Sequence, residues 1–332
     1  WVTGSILQGL SVLAMVIVAL TLRGAMAGWS IAGLLAIFSL SRGICSIASK
    51  DLLGKTISKT RRGRLSGLAA SISGYAAVAV GLFFAFNKRD ELPVVIFAIL
   101  LGVAGALWLV AAAIMATLDE KPGTTSGGSN AFKEAISSFQ LLRDNKTFRN
   151  FCIARALLAS TVLSMPFYVL LAFEATGGRL ASLGILMVAS SASTALSAVI
   201  WGRLADKSSR LNLVLAGTSA GAIGCVTSGI AGLNFSAETA LWLYTLLFFL
   251  IGITHSGIRI GRKIYLVNLA NEKNRSTYVA VSNTLIGIIL LASGAMGLLA
   301  EALGARGVIF IFAILGVGGG LFSFFLPEVE ND

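Results

Sequence analysis

The sequence predicts an all-α polytopic membrane protein. Three observations carry that prediction. Hydrophobic residues make up 56% of the 332-residue chain, and mean hydropathy is +0.86. Only 12% of residues are charged, against about 25% in soluble domains. The apolar residues also fall into runs of about 20, the length a helix needs to cross a bilayer. A protein core cannot hide so much apolar surface, so lipid must face part of it. A soluble globular domain, a disordered chain and a nucleic-acid-binding module are thereby excluded, despite a net charge of +11. No run shows the alternation of an outer-membrane barrel. Backbone groups in lipid must be satisfied within their own segment, so the runs are helices.

Ten spans are expected, at 3–22, 27–47, 65–86, 92–117, 152–173, 180–201, 211–232, 239–260, 277–300 and 306–326. The loops after the second, fourth, sixth and eighth spans, with their helix margins, hold nearly all the basic residues. Of 26 Lys and Arg, only Arg23, Lys88, Arg89, Arg179 and Arg306 fall on the other side. The basic side is expected to be cytoplasmic. Both termini then lie inside, and the membrane read from this pattern is a bacterial inner membrane. Residue 1 is Trp, and no signal peptide is expected before the first span. Cys45, Cys152 and Cys225 lie far apart in or beside apolar runs. Their spacing gives neither a disulfide framework nor a zinc signature, so they are expected to pack as small hydrophobes. No metal or cofactor site is expected.

Residues 118–150 differ from the rest. Pro122, Gly123, Gly127 and Gly128 mark a flexible linker. Within it, Phe132, Ile136, Phe139 and Leu142 recur at helical spacing, as in an amphipathic helix lying on the inner membrane surface. The expected organisation is an N-terminal bundle of four spans at 1–117, a linker at 118–150 and a six-span bundle at 151–332. The two parts also echo each other. Arg62 to Gly74 and Arg275 to Gly287 both follow a basic loop and open a span in the same register. On that alignment the first part lacks two helices at its start.

The most specific motif is Gly202-Arg-Leu-Ala-Asp206-Lys207-Ser-Ser-Arg210, between two spans on the basic side. Gly202 permits close helix approach. Asp206 can accept charge-assisted bonds from an Arg or sit at the N-terminus of a neighbouring helix. Lys207 and Arg210 anchor the inner face. This segment resembles the inner-loop motif of the major facilitator superfamily of secondary transporters. That motif runs Gly, three residues, Asp, a basic residue, one residue, Gly, then basic residues. Gly202, Asp206, Lys207 and Arg210 match it, while Ser209 replaces the second Gly. The layout agrees as well: two bundles, a long inner linker and basic inner loops, with 4 + 6 spans visible of the family's twelve. The resemblance implies a secondary transporter working by alternating access, with the motif as an inner gate that steadies the outward-facing state.

Other candidates are weighed by depth and charge. Gly54-Lys55-Thr56 lacks the flanking strand and full spacing of a phosphate loop. Arg42 lies inside the second span, where it either snorkels to the inner headgroups or faces a cavity. His255 is the only histidine, at depth in the eighth span, where it is either a packed polar residue or a proton carrier. Pro166 breaks the fifth span, and Ser160, Thr161, Ser164 and Tyr168 around it could line a cavity. Asn283 is a further neutral polar candidate. Asp51, Arg62, Arg262 and Arg275 form an expected inner-loop charge network. Arg155 and Arg259 read as interfacial anchors. The small-residue runs Ala189–Ser197, Ala292–Gly297 and Gly316–Gly320 permit close helix packing.

The expected partners are the lipid bilayer and a small solute, anionic or neutral, with protons or another ion as the driving species. The alternative class is a non-transporting sensor or a degenerate transporter fragment. An intramembrane enzyme is disfavoured, because one His and no deep Asp cannot assemble a catalytic set.

Overall fold

The structure is a computed structural model that describes residues 1–86, 93–118, 140–177, 180–271, 274–292 and 296–330. Among the described residues it is helical, with nine helices long and apolar enough to cross a membrane and a shorter apolar one at Arg275–Leu291. The helices are α1 (Val2–Thr21), α2 (Gly24–Thr56), α3 (Lys59–Phe86), α4 (Val94–Ala116), α5 (Gln140–Asp144), α6 (Lys146–Leu163), α7 (Met165–Ala175), α8 (Leu180–Lys207), α9 (Ser209–Ile230), α10 (Ala237–Leu269), α11 (Arg275–Ala292) and α12 (Met296–Phe322). Large apolar side chains stand exposed along them, including Leu40, Trp242 and Leu291, the last 84% exposed. On a soluble protein such surface would be a liability, whereas lipid covers it at no cost.

Several helices outrun the apolar spans read from sequence. α2 continues through Lys50, Asp51 and Lys55 to Thr56, and α10 continues through Arg262 and Lys263 to Leu269. Hydropathy marks where a helix leaves lipid, but local hydrogen bonding decides where it ends. The ninth expected span, 277–300, is helical on both sides of residues 293–295, which lie outside the described residues. α11 ends at Ala292 and α12 begins at Met296. α12 in turn contains Gly304 at φ 69, a left-handed conformation that glycine adopts without a Cβ penalty. The expected amphipathic helix at 131–142 lies outside the described residues, apart from its last turn in α5.

Two compact units are defined by their internal packing. The first comprises Trp1–Thr56 and Lys88–Thr125, hence α1, α2 and α4. α1 is its centre. Gly9 and Gly105 bring α1 and α4 together, since a Cβ on either would lie about 3 Å from the other's carbonyl oxygen. On α2, Cys45 is buried against Gly4, and its thiol accepts a hydrogen bond from Gln8 Nε2 at 3.2 Å. Trp108 of α4 packs against Trp1 and edge-on against Phe38.

The second unit comprises Ile57–Asn87 and Ser126–Asp332. α3 therefore packs with the residues after the linker. It runs antiparallel to α8 along a seam of small residues, with Gly63 against Gly202, Gly67 against Ala198, Gly74 against Ala195 and Gly81 against Val188. Ser71 Oγ donates to the Ala195 carbonyl in the same seam. α9 meets α12 through Gly217, Gly221 and Gly224 against Gly320, Val317 and Ala313. α8 meets α10 where Gly252 lies on Ser190 and Ser193, and Trp201 Nε1 donates to the Ile253 carbonyl at 2.8 Å. Backbones that approach this closely gain dispersion contacts, which is what holds helices together when lipid removes the hydrophobic drive. At the end away from the basic rim, Tyr168, Leu186, Tyr244, Phe248, Ile251 and Ile309 form an apolar cluster.

Candidate functional site

Three polar assemblies stand out in the second unit. The first lies at the break between α6 and α7. Pro166 sits in the first turn of α7, and Ser164 is the junction residue. The last carbonyls of a helix lack amide partners. The Thr161 carbonyl is satisfied instead by Ser164 Oγ at 2.9 Å and His255 Nε2 at 2.8 Å. A carbonyl only accepts, so the His255 proton resides on Nε2. Thr161, Ser164, Tyr168, Thr254 and His255, with Phe312 and Ala313, enclose a cavity of about 10 Å³. That is room for about one water. Four of the polar candidates read from sequence, Thr161, Ser164, Tyr168 and His255, thus meet around one small polar space.

The other cavity candidates lie elsewhere. Ser160 is buried, and its hydroxyl donates to the Leu157 carbonyl at 2.6 Å. Asn283, on α11, accepts from Arg155 Nη2 at 3.0 Å, while Arg155 Nη1 donates to Ser282 Oγ. Arg155, read from sequence as a surface anchor, is in fact 9% exposed. Arg42 belongs to the first unit and is exposed on α2.

The second assembly is built by the 202–210 segment. Gly202 is in backbone contact with Gly63 of α3, and this brings Asp206 to the start of that helix. The Asp206 carboxylate accepts from the amides of Gly63 at 2.5 Å and Arg64 at 2.8 Å. An anion at a helix N-terminus is favoured by the amide dipoles, and each such charged bond is worth about 1.5–3 kcal/mol. Gly202 makes its close approach on α3, and Asp206 bonds amides in the second turn of the same helix. Lys207 is exposed.

The third assembly is the chain end. Arg210 forms an ion pair with Glu328 at 2.9 Å. Ser208 Oγ donates to both oxygens of the same carboxylate, at 2.8 and 2.9 Å. Glu330 is buried; its Oε1 accepts from the Ser209 amide at 3.2 Å, from Ser209 Oγ and from Asn268 Nδ2 at 3.3 Å. Asn268 in turn accepts from Arg62 Nη1 at 2.7 Å, and Arg62 Nε donates to the Ile57 carbonyl. Tyr265 stacks on Phe151, and its hydroxyl donates to the Pro327 carbonyl at 3.0 Å. Residues 326–330 are thereby strapped across α3, α9 and α10. Burial pushes the Glu330 carboxyl above the usual carboxylate range, and the Glu328 carboxyl beside it pushes the same way. The bonds from Ser209 and the Val329 amide offset this in part.

The residues expected in the inner-loop network have these placements. Asp51 pairs with Lys55 one turn on, at 2.6 Å. Arg62 joins the tail assembly, and Arg275 is buried at the start of α11. Arg262 lies on α10. Sequence reading assigned no role to Glu328, Glu330, Ser209 or Asn268. Arg210 was the available signal, since a cation in a low-dielectric rim calls for an acid on the same face.

Residues 158–332 match the sequence profile of the Major Facilitator Superfamily. That is more than half of the chain. The chain belongs to the Major Facilitator Superfamily. No curated protein matches it in sequence. In fold it is similar to the crystal structure of the E. coli fucose:proton symporter FucP, with a TM-score of 0.66 at 15% identity, over 98% of this chain and 83% of that one. The family consists of secondary transporters, so the protein is an integral membrane protein of a transporter family. Its one departure from the family's inner-loop pattern, Ser209 for Gly, is the residue whose hydroxyl holds Glu330.

Proposed function

We propose that the protein is a secondary active transporter that moves a small solute by alternating access, with the 202–210 segment as the inner gate. The observation that carries this reading is the Asp206 carboxylate on the Gly63 and Arg64 amides of α3. Gly63 and Arg64 precede the linker and Asp206 follows it, so breaking the bond loosens the basic end of the seam between α3 and α8. The basic rim, with the chain end strapped to it, is then cytoplasmic, and the membrane is the bacterial inner membrane. The solute is anionic or neutral, because the deep polar groups Arg155, Ser164, Tyr168 and His255 include no acid. Protons or another ion supply the drive, and the similarity in fold to a proton symporter supports that class of coupling.

The test is a labelling experiment in the full chain, with Cys45, Cys152 and Cys225 replaced by Ser. Thr254→Cys places a single thiol at the polar cavity. Adding Asp206→Asn removes the charge from the gate bond. We expect a severalfold rise in maleimide labelling from the basic face of inside-out vesicles. Unchanged labelling would remove the gate and the alternating-access reading with it.

A further inference from the structure

His255, Arg259, Arg262 and Lys263 recur at intervals of four, three and one on α10, which places them along one stripe of the helix. The stripe is electrostatically continuous. His255 feels both Arg259 and Arg262, and Arg259 lies within reach of Arg262 and Lys263. From α6, Arg155 lies within reach of Arg262. Its Nε is buried without a hydrogen-bond partner. Among the described residues no acid pairs with Arg155, Arg259, Arg262 or Lys263. Three described acids of the unit are committed elsewhere, Asp206 to α3 and Glu328 and Glu330 to Arg210, Ser209 and Asn268.

Such an arrangement is costly by itself. Like charges three and four residues apart on a helix repel. A part-buried guanidinium without a counter-charge loses hydration that neutral partners return only in part, as Ser282 and Asn283 do for Arg155. A purely structural cluster would bring an acid to the stripe, as the tail does for Arg210. Arg259 remains exposed while Arg155 is buried, so the group is open on one side and anchored on the other. Arginine forks match the planar oxygens of carboxylates and phosphates. Four cations exceed what one negative charge neutralises.

We propose that Arg155, Arg259, Arg262 and Lys263, with His255 at the deep end of the stripe, bind a small oxyanion carrying at least two negative charges, of the phosphate or polycarboxylate type. This deepens the transporter reading and rests on it only for treating the anion as cargo. Binding is measured without translocation, and the labelling test above needs no anion, so the two fail separately.

The probe is inorganic pyrophosphate, titrated into the full chain in detergent against sodium chloride at equal ionic strength, with binding heat and Tm as readouts. Pyrophosphate should bind and raise Tm. Arg259→Gln with Arg262→Gln should weaken binding about tenfold or more, the scale of one lost charged hydrogen bond. Arg262→Lys should retain most of it, and Lys146→Gln, exposed at the start of α6, should leave it unchanged. The Tm of each variant without probe reports folding. A second arm uses phosphatidylcholine vesicles with and without phosphatidylglycerol. Should phosphatidylglycerol block pyrophosphate and stabilise the unmodified chain but not the double variant, the oxyanion site stands and its occupant is a lipid headgroup, not a cargo. Failure of both probes, or equal binding by the double variant, overturns the site.

Discussion

Ser209 shows how one substitution in a family pattern can acquire a partner. Its amide and hydroxyl both reach Glu330, a carboxyl that is 8% exposed. Burial disfavours the charged form, so Glu330 keeps its proton to higher pH in the folded protein than in the unfolded chain. In that window the folded state binds more protons, and stability falls as pH rises. The contribution is fully present below the unfolded value of about 4.3 and is lost as pH climbs through the raised folded value. Glu330→Gln removes the titration and keeps an acceptor for Ser209. Its Tm in detergent should therefore change less with pH across this window than that of the unmodified chain. Identical pH profiles would show that Glu330 titrates normally.

At the scale of elements, the α3–α8 seam is the most exacting packing in the second unit. A Cβ at Gly67 would stand 2.4 Å from the Ala198 carbonyl oxygen and 3.2 Å from Gly202 Cα. Both are backbone atoms, so relief requires the helices to part. Gly67→Leu should cost about 1–3 kcal/mol, the usual penalty of overpacking, and should lower Tm in detergent. Gly318→Leu on α12 is the control, because nothing lies within 4 Å of its Cβ position. Equal Tm for the two variants would mean that the seam yields freely. Sequence reading identified the small-residue runs but not their partners. Glycine permits approach on any side, and only the crossing of two helices selects which neighbour fills the space.

For the whole molecule, charge asymmetry sets the orientation. The loop residues 55–64 and 203–210 are both basic, and positive loops resist translocation. Thr60→Cys and Lys207→Cys, each in a chain with its three native cysteines replaced by Ser, should react with a membrane-permeant maleimide and resist an impermeant one in intact cells. Reaction of one site from outside and the other from inside would exclude this topology. The apolar surface left exposed by the helices, from Leu40 to Leu291, agrees with a molecule whose outer solvent is lipid.

Much of this was legible in the chain because bilayer physics acts on short windows. A run of about 20 apolar residues is a span whatever surrounds it, and the break at Pro166 follows from one missing amide hydrogen. The 202–210 motif also carried its partner type, since an Asp beside a close-packing Gly suits a helix N-terminus. Distance along the chain hid the rest. Glu330 meets Ser209, Asn268 meets Arg62 and Arg155 meets Ser282 and Asn283 only after helices far apart in sequence have packed. Whether a buried charge finds a counter-charge is a property of that packing. Local pattern thus determined the helices and the sign of the rim; tertiary structure alone decided that the rim is latched by the chain end and that, among the described residues, no acid pairs with the cations of α10.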